Sequence, residues 1–362
     1  MFYYFLYPLH KYHIFFNVFR YQTFRSAMAA ITALLICIFL GPRVIAFLGT
    51  LKAVGSTERQ YAEKIHHLYQ GKKSVPTMGG VLIILSVLIS NFLWADPTNR
   101  FVILVMVVLV WYGALGFLDD YLKIRFKNTK GISSRTKLIG QLSLATLFAF
   151  YLYWDPAFST KVTIPFLKDL AWTLGVFYIP FVICVMVGTS NALNLTDGLD
   201  GLAIGCFAFA AGAFAVLTYL SGNTIFANYL QLSYIEGSGE LAVVSASLVG
   251  ASMGFLWWNA PPANVFMGDT GSLALGGALG AIALFIKQEL VLLIIGGVFV
   301  WEALSVILQV ASFKLTKKRI FLMSPFHHHL QLKGWPESKV TIRLWIIALI
   351  LALVGLSTLK LR

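Results

Sequence analysis

A chain of 362 residues that is 58% hydrophobic and only 12% charged, with a mean hydropathy of +0.78, lies outside the composition of soluble globular domains. Its formal charge of +13 invites a nucleic-acid partner, but in a membrane chain Lys and Arg gather on cytoplasmic loops, which accounts for the excess without nucleic acid. Cys37, Cys184 and Cys206 fall inside apolar runs, match neither zinc nor disulfide spacing, and are expected to be packing residues.

The N-terminus is aromatic and carries Lys11, Arg20 and Arg25, but it lacks an apolar core followed by a small-residue cleavage site. No removable signal peptide is expected, and the first span serves as the insertion signal. Apolar stretches near bilayer-crossing length follow at 24–48, 76–95, 101–118, 138–154, 171–190, 200–220, 240–258, 272–287, 290–311 and 341–359. The expectation is an all-α integral membrane protein of about ten transmembrane helices, with residues 1–362 forming one polytopic domain. Counted on alternate sides, 19 of the 28 Lys and Arg residues, with Arg43 and Arg343 at the span ends included, fall on the face carrying 49–75, 119–137, 191–199, 259–271 and 312–340. The positive-inside rule makes that face cytoplasmic and puts both termini in the periplasm.

The acidic and amide clusters also sort to that face, and the opposite loops show nothing comparable in sequence. An Asp at the centre of a spanning helix costs roughly 2.5–3.5 kcal/mol on insertion scales, so several converging on one boundary mark a site. In chain order, Lys72 and Lys73 precede "PTMGG" and carry either positive-inside charge or a phosphate contact. Asp119 and Asp120, in "GFLDDYLK", diverge by about 100° on a helix. They can share one cation while addressing a second group, an arrangement suited to Mg²⁺ and phosphates.

Asn194, Asp197 and Asp200 in "NLTDGLDG" form one row if that stretch continues as helix. Gly198 and Gly201 leave room for a bulky polar ligand, beside their part in a turn. In "NVFMGDTGS", Asp269 caps the helix beginning near Ser272, adds a third carboxylate for Mg²⁺, or both. Phe266 suits stacking on a flat ring or anchoring at the interface. His327, His328 and His329 are consecutive, so they cannot all face one zinc ion. They offer phosphate donors or an acid or base instead.

"KKSVPTMGG", "GFLDDYLK", "NALNLTDGLDGLA", "VFMGDTGSLALGG" and "PFHHHLQLKGW", in this order across nearly the whole chain, resemble the bacterial phospho-N-acetylmuramoyl-pentapeptide-transferase family of the polyprenyl-phosphate N-acetylhexosamine-1-phosphate transferase superfamily. The resemblance implies a ten-span inner-membrane enzyme of peptidoglycan synthesis. It would move phospho-MurNAc-pentapeptide from UDP-MurNAc-pentapeptide to undecaprenyl phosphate, giving lipid I and UMP with Mg²⁺ as cofactor. It also implies a homodimer.

Carried over by residue, the resemblance makes Asp119, Asp120 and Asp269 the acidic centre, with Asp269 a magnesium ligand and Asp119 and Asp120 further candidates. Lys72 would contact the diphosphate, and Thr77, Asn194 and Asp197 would line the nucleotide-sugar pocket. Asp200, Asn259 and Phe266 would lie near the uracil. His327 joins the catalytic group, with His328 and His329 on substrate. The chain departs from the family's common "GTPTMGG" by having Ser74 and Val75 before "PTMGG". A sister enzyme using UDP-GlcNAc is the alternative, and a transporter is the rival from another class. A transporter requires polar groups near mid-membrane or on both faces.

Overall fold

The structure, a computed structural model, describes residues 1–51, 75–126, 131–166 and 171–360. Lys72 and Lys73 lie outside them. Helices occupy all ten apolar stretches: α1 Gln22–Thr50, α2 Gly80–Trp94, α3 Arg100–Arg125, α4 Ser134–Trp154, α5 Tyr178–Thr196, α6 Leu202–Ser221, α7 Leu241–Asn259, α8 Gly268–Phe285, α9 Gly297–Thr316 and α10 Glu337–Ser357. Among the described residues, eight helical spans are long and apolar enough to cross a membrane. The other two stretches differ for visible reasons: α2 has only 15 residues, and α4 opens with Arg135 and Lys137. The stretch at 290–311 is split at Gly296 into a short helix, Glu289–Ile295, and α9.

Helix ends follow local chemistry. The Asn99 side chain accepts the N–H groups of Phe101 and Val102 to start α3, and Ser133 accepts that of Thr136 to start α4. Strands β1 Lys161–Thr163 and β2 Ala171–Thr173 pair antiparallel, Val162 opposite Trp172. The first twenty residues fold as short helical turns whose Phe2 and Phe19 rings pack on Trp94 at the end of α2.

The bundle is built around α8. It packs against α2, α3, α5 and α6, and every residue from Thr270 to Phe285 is buried. Small residues allow this closeness: a Cβ on Gly116 of α3 would overlap the backbone of Asp269 and Thr270. Outward positions are apolar, including Leu35, Phe39, Leu147, Ile307 and Leu353, while Ser86, Asn91, Gln141, Ser190 and Ser247 are buried. Lipid tails solvate the former, whereas the latter find partners such as Asn91 Nδ2 on Ser247 Oγ at 2.7 Å. Cys37 and Cys206 are buried among packed side chains, but Cys184 is exposed. As expected, none of the three is in a disulfide.

Two expectations change. Asn194, Asp197 and Asp200 do not form one helical row, because α5 ends at Thr196 and Gly201, at φ +69°, turns the chain into α6. The helix expected near Ser272 begins instead at Gly268, four residues earlier.

Candidate active site

The carboxylates gather where α3 meets the start of α8. Asp119 and Asp120 are each 3% exposed, and together with Asp269 they offer oxygen atoms within 4.8 Å of one another. Gly268, at φ +73°, makes the meeting possible: a Cβ there would crowd Asp120 Oδ2 and Thr77 Oγ1. Asp120 Oδ2 accepts the N–H of Thr270 at 3.0 Å and its hydroxyl at 2.8 Å. A carboxylate from α3 thus satisfies an orphan donor in the first turn of α8, where the helix dipole favours negative charge. Asp119 turns its Oδ1 to the N–H of Ile132 at 2.7 Å, holding the segment that leads into α4.

Two ammonium groups enter this cluster. Lys123 Nζ lies 2.6 Å from Asp119 Oδ2, 3.0 Å from Asp269 Oδ2 and 3.8 Å from Asp120 Oδ1. Lys137 Nζ lies 2.8 Å from Asp269 Oδ2 and 3.9 Å from Asp119 Oδ2. Among the described residues, three carboxylates meet two ammonium groups here. Asn194 of α5 closes the other side, donating to Asp269 Oδ1 at 2.8 Å and Ser272 Oγ at 2.9 Å. Asp269 therefore does not cap its own helix; its oxygens face Lys123, Lys137 and Asn194. The donor set is hard oxygen from three carboxylates, already gathered around cationic nitrogen, and so fits a small divalent cation such as Mg²⁺.

The remaining expected residues surround this centre in two groups. Asp200 Oδ2 accepts the N–H of Ala263 at 3.1 Å, and Asn259 bridges Gly201 N–H at 3.1 Å and Val265 C=O at 2.7 Å. Both tie the turn before α6 to the segment that follows α7. Phe266 is half-buried, and its backbone pairs with Pro76 and Gly79 at 2.8 Å each, joining the "PTMGG" segment and Thr77 to the start of α8. Asp197 is half-buried in the turn after α5.

The three histidines meet different neighbours, although the rings of His327 and His328 lie edge to face at 4.2 Å. His327 is buried beside Glu302 at 3.1 Å and against Gly198. His328 Nδ1 meets Gln331 Oε1 at 2.8 Å. His329 accepts the Leu322 N–H at 3.1 Å and stacks on Phe326. Burial, and then the Lys333 ammonium beside it, hold the His329 imidazole below its ordinary pKa.

Sequence reasoning passed over Lys137, Thr270, Glu302 and Glu337. Glu337 Oε1 accepts the Asp200 N–H at 2.8 Å. A lone Glu inside the apolar run "VFVWEALSV" was the available signal for Glu302. Contrary to expectation, the opposite end also carries buried charge. Arg25 grips Glu240 through two contacts of 2.6 and 2.8 Å, and Lys287 lies 3.0 Å from Glu289. Arg25 and Glu240 are 215 positions apart, so only the fold reveals that pair.

Residues 101–287, just over half of the chain and spanning α3 to α8, match the family model described as glycosyl transferase family 4. Three bacterial proteins, each named phospho-N-acetylmuramoyl-pentapeptide-transferase, align over the full length of both chains. The identities are 51% for Desulfotalea psychrophila, 52% for a Geobacter species and 51% for Citrifermentans bemidjiense. The matched span holds all three converging carboxylates, and by this full-length similarity the chain belongs to the phospho-N-acetylmuramoyl-pentapeptide-transferase family.

Proposed function

We propose that this chain transfers phospho-N-acetylmuramoyl-pentapeptide from its UDP donor to undecaprenyl phosphate, giving lipid I and UMP in bacterial peptidoglycan synthesis. The observation that carries the reading is the convergence of Asp119, Asp120 and Asp269 with Lys123 and Lys137 at one end of a membrane bundle. A water-soluble diphosphate and a lipid-anchored phosphate can meet there. We assign that end to the cytoplasmic face of the inner membrane, with the termini on the other side and a homodimer as the working assembly.

Phosphoryl transfer needs little covalent help from the protein beyond alignment and charge compensation. An oxygen of the acceptor phosphate attacks the β-phosphorus of the donor, the bond to UMP breaks, and UMP leaves with the electron pair. Asp119 takes the proton of the acceptor phosphate. Lys123 and Lys137 can transfer their hydrogen bonds from carboxylate to phosphate oxygens. Asn194 keeps Asp269 oriented, while Thr77 and Asp197 line the approach of the nucleotide sugar. Asp269, with Asp119 and Asp120, would hold Mg²⁺, which when bound supplies charge neutralisation on the diphosphate.

The test is turnover of purified protein with labelled UDP-MurNAc-pentapeptide and undecaprenyl phosphate, with and without Mg²⁺ and with UDP-GlcNAc competing. Magnesium-dependent lipid I and UMP are expected. Product from UDP-GlcNAc alone would assign the chain to the sister activity, and no product from either donor would overturn the transferase reading. A phosphorylated enzyme formed with donor alone would rule out direct attack.

A further inference from the structure

Glu302 is fully buried in α9, although its neighbours Trp301, Leu304, Ile307 and Leu308 are exposed apolar side chains. A carboxylate at such a position is costly and rare in a spanning helix without a partner or a task. Its partner comes from the triple histidine. Glu302 Oε2 accepts the backbone N–H of His327 at 3.3 Å, and the Nδ1 of that ring approaches the same oxygen to 3.1 Å, off the line of a hydrogen bond. Glu302 Oε1 and both ring nitrogens of His327 have no hydrogen-bond partner among the described residues, so the Glu302–His327 contact at Nδ1 is one of charge and proximity.

The far side of the imidazole faces the turn after α5. His327 Nε2 packs so closely on Gly198 that a methyl group there would overlap it. That turn carries Asp197 and follows Asn194, which holds Asp269. Of the other two histidines, His328 packs its ring edge-on against that of His327 at 4.2 Å and meets Gln331, and His329 meets Leu322.

We infer that Glu302 is a positioning residue: it fixes the His327 imidazole against Gly198 and thereby sets the turn that receives the polar part of the nucleotide-sugar donor. The carboxylate beside Nδ1 favours a proton on that nitrogen and turns Nε2 to the loop, the arrangement by which carboxylates orient imidazoles in many sites. Because the loop belongs to the donor side, the device acts on donor recognition. This inference rests on the transferase reading above.

The experiment compares kcat and the two substrate KM values for the full-length protein in lipid nanodiscs. Glu302→Gln keeps the size of the side chain and removes its charge. It is expected to raise the donor KM by about ten- to a hundredfold, the usual loss when an orienting carboxylate is removed, while the undecaprenyl phosphate KM stays within twofold. In a His327→Ala background, Glu302→Gln is expected to add less than threefold, since its route of action is already gone. A brace without a positioning role would instead lower the active fraction and melting temperature, leave the donor KM unchanged, and give losses that multiply in the double variant; that pattern overturns the inference. If Glu302→Gln does not fold, Glu302→Asp and Gly198→Ala address the same contact from either side, and an unchanged donor KM in both would be equally decisive. Inactivity of the unsubstituted protein with both donors would instead count against the transferase reading.

Discussion

The two ends of α8 both carry lysine beside carboxylate, yet they are built differently. At the Phe285 end, Lys287 meets Glu289 at 3.0 Å, Tyr178 Oη accepts from Lys287 at 2.8 Å, and Tyr178 donates to Glu289 at 3.0 Å. One cation is matched to one anion, and all three residues are buried. Burial pushes the Lys287 ammonium below its ordinary pKa, against the pull of Glu289. At the Gly268 end, three carboxylates outnumber two ammonium groups among the described residues, and the Lys123 side chain remains 34% exposed. A matched, sealed pair braces helices, whereas an unmatched, accessible cluster has capacity left for a ligand.

The comparison is sharpest at Asp269. Asp269→Asn is expected to lower kcat by at least about 10³-fold, roughly 4 kcal/mol of barrier, with a much smaller change in melting temperature. At the other end, Glu289→Leu leaves Lys287 buried without its anion. Its expected cost is about 3 kcal/mol of stability in reversible unfolding from mixed micelles, with donor KM and kcat of the folded fraction unchanged. If the two variants exchanged these signatures, the contrast between the ends would collapse.

Gly116→Ala tests the packing beneath the site. Its methyl meets backbone of Asp269 and Thr270 rather than a flexible side chain. About 1–3 kcal/mol of destabilisation is expected, together with reduced turnover, because α3 carries Asp119 and Asp120. The smallest effect lies on the histidine segment: Lys333→Met removes a neighbouring positive charge, so the His329 titration midpoint is expected to rise, as read by NMR of labelled imidazole. A fall would show that burial changed more than charge.

Much of this was legible in sequence because bilayer length and hydropathy constrain helices strongly. Each of the ten apolar stretches contains a helix, although the one at 171–190 opens with strand β2 and its helix begins at Tyr178, and Asp119, Asp120 and Asp269 converged. Other features depended on long-range packing. Nothing near Lys137 indicates that α4 would carry it to Asp269, and Arg25 gives no sign of Glu240. The row expected for Asn194, Asp197 and Asp200 failed because helical spacing was extended through Gly198 and Gly201, where the chain turns. Asp200 consequently faces Ala263 rather than Asp269.

The enclosure of α8 also bears on how the chain enters a membrane. Its 18-residue mean hydropathy of 1.3 is the lowest of the eight candidate spans, against 2.6 for α3. A segment that touches protein on every side needs little affinity for lipid, and its own apolarity gives it little drive to partition alone. Its integration during biogenesis therefore depends on α2, α3, α5 and α6, all earlier in the chain, being present to receive it. Asp269 at its tip reaches Asp119 and Asp120 only when that assembly step succeeds.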